Sequence, residues 1–162
     1  MTTRTLVILR HAKAEQGETT PDIDRSLTKR GHADAVAAGV WLAGRGIAPD
    51  LVLCSPSRRT RETWHEVALA LTAAPEVRYE ETIYAASTQD LLDLVTGVTD
   101  ADKVLLIGHN PGLSHLSALL DPAHAEPDGL RTSGAAVHSV AGEWVECGHG
   151  TAPLIALHTA RG

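Results

Sequence analysis

The chain has 162 residues, of which 43% are hydrophobic and 21% are charged, so it predicts one globular domain over 1–162 and not a disordered chain. A formal net charge of -6 disfavours general electrostatic binding to nucleic acid, which requires clustered cations. No apolar run approaches the ~20 residues of a membrane-spanning helix, and no secretory signal opens the chain, so we expect a cytoplasmic protein without a membrane partner.

Short apolar runs alternate along the chain with stretches of helical periodicity. The six predicted strands cover 5–9, 51–54, 77–79, 103–107, 135–140 and 154–158. The expected N-caps of the four predicted helices are Thr28, Ser55, Ser87 and Asn110. The first helix is expected to end at about Gly44 and the second at about Ala73. Loops are expected over 10–24 and 121–131, with a turn or hairpin over 142–150.

This alternation of strands and helices determines the predicted fold class. It implies an α/β domain of three layers, in which helices cover both faces of a mainly parallel sheet of about six strands. Polar clusters follow three of the strands: Arg10-His11, Ser55–Arg59 and His109-Asn110. Because parallel strands end at one edge of a sheet, a single pocket can collect all three. Two of the clusters begin helices, whose free N–H groups favour anions.

Histidines and arginines that converge at helix N-termini suit a phosphoryl group. Arginine matches phosphate oxygens with its planar fork and stays charged at any working pH. A neutral imidazole attacks phosphorus when an acceptor holds its other nitrogen, and His11, emerging from a buried strand, is the better candidate nucleophile. His109 is then a second cation or hydrogen-bond donor. The seven other histidines are expected to be surface or core residues.

Three arginines, Arg58, Arg59 and Arg61, lie close together, and the residues alone do not say whether they bind an anion or form a solvated helix face. Metal binding is not expected, because the chain has no H-E-x-x-H or similar cluster. Cys54 and Cys147 show no metal spacing either, so we expect two reduced thiols.

Four motifs in order resemble the histidine phosphatase superfamily, which includes phosphoglycerate mutases and acid phosphatases. Leu9-Arg10-His11-Ala12 is similar to its Arg-His-Gly signature. The segments that follow are Leu27-Thr28-x-x-Gly31, Ser55-Pro56-x-x-Arg59-x-x-x-Thr63 and Gly108-His109-Asn110-Pro111-Gly112. The short length, the Asp24-Arg25-x-Leu27 lead and the Gly-His-Asn-Pro form resemble the SixA-like phosphohistidine phosphatases in particular.

The resemblance implies a mixed, mainly parallel sheet of the phosphoglycerate mutase type, with no metal and no organic cofactor. It implies that His11 is the nucleophile and that Arg10, Arg59 and His109 bind the phosphoryl group. Of the three clustered arginines, it assigns phosphate binding to Arg59 and not to Arg58 or Arg61. The implied substrate is a phosphorylated histidine of a protein. Two alternatives stay open: a phosphatase or mutase for small phosphate esters, and a phosphate-binding module without turnover.

Two features depart from the family's pattern. Ala12 replaces the usual Gly, which places a methyl group near the nucleophile. The general acid is not obvious: Glu81 is the candidate, because Glu81-x-x-Tyr84 is similar to the Glu-x-x-Tyr of the mutases, although a surface carboxylate would look the same. Lys13 can add to the field around an entering anion, and Asn110 can donate to phosphate, although its capping role already explains it.

Overall fold

The computed structural model describes residues 3–162, and its centre is one six-stranded sheet. The strands are β1 (Thr3–Arg10), β2 (Leu51–Cys54), β3 (Glu76–Tyr79), β4 (Lys103–Gly108), β5 (Gly134–Ala141) and β6 (Leu154–Thr159). Their order is β3-β2-β4-β1-β5-β6. The first four strands run parallel, whereas β5 is antiparallel to both of its neighbours. The carboxyl ends of β1, β2 and β4 therefore meet at one edge of the sheet.

Four helices cover the two faces of this sheet: α1 (Lys29–Gly44), α2 (Arg58–Ala68), α3 (Thr88–Thr96) and α4 (Gly112–Leu120). Alternate residues of β1 enter different cores, because neighbouring side chains of a strand point to opposite faces. Val7 and Leu9 pack with α1 and α2, whereas Leu6 and Ile8 pack with α3 and α4. The predicted three-layer α/β fold is confirmed. Within 3–162, no helix is both long and apolar enough to cross a bilayer.

Two of the predicted helix caps are confirmed. The Thr28 hydroxyl accepts a hydrogen bond from the Gly31 N–H, 2.9 Å away. Ser87 and Asp90 form the reciprocal capping box at the start of α3. These contacts satisfy backbone N–H groups that a helix leaves without partners in its first turn.

The start and end predicted for α2 are wrong. Ser57, not Ser55, caps the helix, because the Ser55 hydroxyl lies 2.8 Å from Nε2 of His109. The helix ends at Ala68 and not near Ala73. From Leu69 onward the backbone bonds span only three residues, as in the bond from the Ala70 N–H to the Val67 carbonyl, so the chain leaves the α-helical geometry there.

The start predicted for α4 is also displaced. Pro111 occupies the N-cap position and the helix begins at Gly112. The Asn110 Oδ1 still accepts a hydrogen bond from the Ser114 N–H at 3.2 Å, while its Nδ2 donates to the Leu130 carbonyl at 2.7 Å. Asn110 therefore joins α4 to the 121–131 loop.

The 142–150 segment does more than connect β5 to β6. It contains a short 3₁₀ turn, Trp144–Glu146, and the Trp144 side chain is buried beside α3. The indole N–H donates to the Ala101 carbonyl at 2.6 Å. The sequence predicts only a turn or hairpin here, because one tryptophan among polar residues produces no periodic pattern that would indicate burial.

Candidate active site

His11 follows β1 directly, and the backbone fixes its position. Its N–H donates to the Gly108 carbonyl at 3.1 Å, which continues the pairing of β1 with β4. The ring Nδ1 lies 2.7 Å from the Ala12 carbonyl oxygen. Since a carbonyl only accepts, Nδ1 carries the proton and the Nε2 lone pair is free.

The environment of His11 keeps its ring neutral. The residue is 8% exposed, and this burial lowers its pKa to about 4, assisted by the charges of Arg59 and Arg10 and opposed by the hydrogen bond to Ala12. A ring with that pKa holds its lone pair at neutral pH. His11 thus has the protonation state of a nucleophile.

His109 follows β4 and faces His11 across the same pocket. The two ring centroids are 5.4 Å apart and the planes are inclined by 56°. Nδ1 of His109 lies 3.4 Å from Nη2 of Arg59, and Nε2 lies 2.8 Å from the Ser55 hydroxyl. Because arginine only donates, Nδ1 accepts and the Nε2–H donates to Ser55 in this arrangement. Burial, together with the charges of His11 and Arg59, lowers the pKa of His109 to about 3, against an opposing effect of Asp22.

Arg59 lies in the first turn of α2, and its guanidinium is fixed against the chain. Its residue exposure is only 6%. Nη1 donates to the Asp22 carbonyl at 2.7 Å, and Nη2 donates to the Asp22 carboxylate at 3.1 Å. Its neighbours Arg58 and Arg61 are exposed and bind Glu62 and the Pro56 carbonyl instead.

Arg10 supplies the second guanidinium of this pocket. Its Nη1 donates to the Leu130 carbonyl at 3.0 Å, the same oxygen that binds the Asn110 amide. In Arg10 and Arg59 alike, the Nε–H is buried and has no hydrogen-bond partner among residues 3–162. Arg10 forms no ion pair with a carboxylate among residues 3–162, so its positive charge favours an anion in this pocket.

The motif analysis missed a carboxylate and a phenol at this site. Asp22 accepts from Arg59, from Nε of Arg25 at 3.0 Å, and from the Tyr84 hydroxyl. The Tyr84 bond, with the charge and hydrogen bond of Arg59, holds the pKa of Asp22 at about 2. The Tyr84 ring stands edge-on to His109, 5.6 Å between centroids. Tyr84 belongs to the same Glu-x-x-Tyr motif as Glu81, whereas the only sequence feature near Asp22 is the Asp24-Arg25 pair that follows it.

The structure places the remaining candidates away from these contacts. Glu81 is exposed in a short 3₁₀ turn, and no hydrogen bond or ion pair within the described part of the chain involves its carboxylate. The Lys13 side chain is exposed, and its carbonyl accepts from the Thr28 N–H at 2.9 Å. Asn110 holds the Leu130 carbonyl, and through it Arg10, so its contacts are with the protein.

The methyl group of Ala12 fits the fold. It is fully buried in a small cluster with Leu27 and Ala35. The Ala12 N–H donates to the Thr63 hydroxyl at 3.1 Å, and that hydroxyl donates to the Arg59 carbonyl at 2.7 Å. These bonds connect the segment after His11 to α2, so the alanine preserves the alignment of His11 with Arg59.

Comparisons with known proteins identify the family. The sequence model of the histidine phosphatase superfamily (branch 1) matches residues 6–83. An uncharacterised protein of Mycobacterium tuberculosis is 35% identical over 162 residues, covering 94% of this chain and all of the relative. The chain belongs to the histidine phosphatase superfamily. This histidine phosphatase is therefore an enzyme that removes a phosphoryl group through a covalent phosphohistidine intermediate.

Solved structures agree with this membership of the histidine phosphatases. One, assigned as the phosphohistidine phosphatase SixA of Nakamurella multipartitia, is 32% identical, with a TM-score of 0.85 and coverage of 99% of this chain and 98% of the other. A second, assigned as SixA of Agrobacterium tumefaciens, is 29% identical, with a TM-score of 0.83 and coverage of 96% and 97%. The fold therefore extends over nearly the same chain length as in these two proteins.

Proposed function

We propose that this enzyme hydrolyses phosphohistidine carried by a protein, with His11 as the nucleophile. One observation carries the assignment of the nucleophile. The Ala12 carbonyl fixes the proton of His11 on Nδ1, so that a neutral Nε2 faces a pocket with two guanidinium groups and a second imidazole. That combination matches the attack of a nitrogen lone pair on an anionic phosphorus centre.

The other three residues stabilise the phosphoryl group during transfer. Arg10 and Arg59 carry fixed positive charges beside the two imidazoles, and these charges neutralise the phosphoryl oxygens. His109 donates a hydrogen bond to the same group from Nδ1 once Nδ1 has taken a proton from the incoming phosphoryl monoanion, while its Nε2–H stays bound to the Ser55 hydroxyl. Water then attacks the phosphohistidine, and His11 recovers its lone pair.

The surface beside His109 has room for a histidine that belongs to another protein. A cleft of about 230 Å³ adjoins His109 and is lined by 83–86 and 109–112. The two SixA-assigned structures cover nearly the whole of this chain, which supports the same substrate class. A small phosphate ester is the competing substrate, and for it Glu81 is the proposed acid, since an ester oxygen requires a proton on departure.

The experiment compares wild type, His11→Ala and His115→Ala on a histidine-phosphorylated protein and on sugar phosphates. His115 is exposed on α4, so its variant controls for the loss of an imidazole. We expect His11→Ala to lower phosphate release by at least about 10³-fold and to abolish an acid-labile, alkali-stable phosphoenzyme. Equal activity in His11→Ala and wild type would overturn the assignment of His11 as the nucleophile. Turnover of sugar phosphates alone would overturn the substrate class.

A further inference from the structure

We propose that Asp22 is a specificity-determining residue that favours a cationic, nitrogen-linked leaving group, such as the protonated ring of phosphohistidine. This inference rests on the proposed function, because it requires His11 to attack phosphorus. It adds a reason why the site accepts a phosphoramidate and disfavours esters that carry further negative charge.

Asp22 is built into the pocket. Its backbone carbonyl and its carboxylate together bind the two Nη groups of Arg59, at 2.7 and 3.1 Å. The same carboxylate binds Tyr84, which stands edge-on to His109. Asp22 therefore contacts Arg59 directly and reaches His109 through Tyr84.

Its position corresponds to the outer end of that site. The side chain of Arg59 is 7% exposed, whereas that of Asp22 is 55% exposed. The attacking and leaving atoms lie on opposite sides of phosphorus in the transfer. Since His11 is at the buried end, the leaving group points toward solvent, which is the side where Asp22 and Tyr84 lie.

Asp22 has acceptor capacity left for a ligand. A carboxylate offers about four lone-pair positions on two oxygens. Oδ2 already accepts from Arg59 and Tyr84, and among residues 3–162 Oδ1 accepts only from Arg25. With a pKa of about 2, the group is ionised at every working pH and acts only as an acceptor. An N–H that carries positive charge is the ligand that best complements it.

The chemistry of the leaving group explains the preference. In a phosphorylated imidazole with a proton on its far nitrogen the ring carries a positive charge, and that N–H donates to Oδ1 of Asp22. When the His11 Nε2 lone pair forms the new N–P bond, the old P–N bond breaks and its electron pair returns to the substrate ring. The ring leaves as neutral imidazole, still holding its N–H. The protonated substrate thus needs no further proton from an acid such as Glu81.

Asp22 and Asp24 belong to one short 3₁₀ turn, Asp22–Asp24. The test compares Asp22→Asn with the matched change Asp24→Asn. Asp24 is exposed, and its carboxylate forms no hydrogen bond or ion pair within the region that the structure describes. The substrates are N-phosphoimidazole and p-nitrophenyl phosphate. For Asp22→Asn we expect the kcat/KM ratio of the first to the second to fall at least about tenfold, because a charge-assisted hydrogen bond is lost. Asp24→Asn keeps the wild-type ratio.

A second measurement uses the wild-type protein and does not depend on the folding of a variant. The basic limb of kcat for N-phosphoimidazole should lie at higher pH than the pKa of that ring in free solution, since Asp22 stabilises the bound cation. Asp22→Asn should move this limb to lower pH and leave the ester profile unchanged. A purely structural role for Asp22 would move neither limb.

Several outcomes overturn the inference. Equal losses on both substrates would show that Asp22 only positions Arg59 and Tyr84, and an unchanged ratio would show no contact with the leaving group. A wild-type limb at the pKa of the free ring would also contradict it. If wild type does not form a phosphoenzyme, or if His11→Ala still does, then the proposed function itself fails, which is a separate result.

Discussion

The Ser55 hydroxyl lies 2.8 Å from Nε2 of His109, and this contact links the end of β2 to the end of β4. Ser55 is fully buried. Its hydroxyl both donates and accepts, so it can hold either neutral form of the His109 ring. With Arg59 donating to Nδ1, the ring proton is on Nε2, so Nδ1 needs a proton from the phosphoryl group before it can donate to a phosphoryl oxygen. Ser55 therefore holds the ring through Nε2 while Nδ1 changes its protonation state.

Substitution of Ser55 tests this relationship. We expect Ser55→Ala to lower kcat by about tenfold, because a hydrogen bond to a buried ring is worth about 1 to 1.5 kcal/mol. The matched control is Ser57→Ala, also fully buried, which removes the N-cap of α2 and costs about 1 kcal/mol of stability. Kinetics and urea denaturation on both variants separate the two roles. Similar kcat losses in both would contradict the role of Ser55.

Arg59 and Arg58 provide a matched pair on neighbouring positions of α2. Arg59→Lys replaces a buried fork that binds two oxygens of Asp22 with a single ammonium. We expect kcat/KM for phosphate release to fall by about 10²-fold. Arg58 is half-exposed and pairs with Glu62, so Arg58→Lys should change kcat/KM by less than about twofold. Comparable losses of kcat/KM in both variants would refute the assignment of Arg59 as the arginine of α2 that binds the phosphoryl group.

The sequence was sufficient for the strands and for the edge where the polar clusters meet. The apolar runs of β1, β2 and β4 are nearly continuous because these strands are buried on both faces, and such runs are visible without coordinates. Their parallel order places His11, Ser55 and His109 at one edge. The clustering of these three residues was therefore predictable from the parallel order of the strands alone.

The contacts of single side chains were not predictable in the same way. A Ser-Pro pair before a helix has the pattern of an N-cap, yet Ser55 binds His109, which is distant in the chain. Asp22 lies in a loop without periodicity, and its partners Arg59 and Tyr84 belong to other elements. Loop conformation decides both contacts, and local patterns carry no information about it.

Gly31 is predicted to be intolerant of a side chain. A Cβ at this position would lie 2.0 Å from the Lys13 carbonyl oxygen, which would displace the segment that follows His11. We expect Gly31→Ala to lower the free energy of unfolding by about 1 to 3 kcal/mol and to reduce kcat. Gly44 lies at the other end of α1 and has no atom within 4 Å of its Cβ position, so Gly44→Ala should be neutral or stabilising. Urea midpoints measure both effects, and equal midpoints would contradict the predicted clash.

The two facing histidines make stability depend on pH. Burial lowers the pKa of His11 to about 4 and that of His109 to about 3, against 6.5 for an ordinary histidine. Between these values the unfolded chain binds more protons than the native state, so the free energy of unfolding rises with pH. The stabilisation is complete above pH 6.5 and is lost as the pH falls toward 4. Each group contributes a slope of at most about 1.4 kcal/mol per pH unit.

The measurement is urea denaturation at several values between about pH 5 and 6.5. This window lies above the titration of Asp22, whose pKa is about 2, so the carboxylate does not contribute. We expect His109→Gln to flatten the dependence, because it removes one group that the native state keeps neutral. His115→Gln changes an exposed ring and should leave the slope as in wild type. Identical slopes in wild type and His109→Gln would show that His109 binds the same number of protons in the native and unfolded states within this window. That result would contradict the lowered pKa of His109.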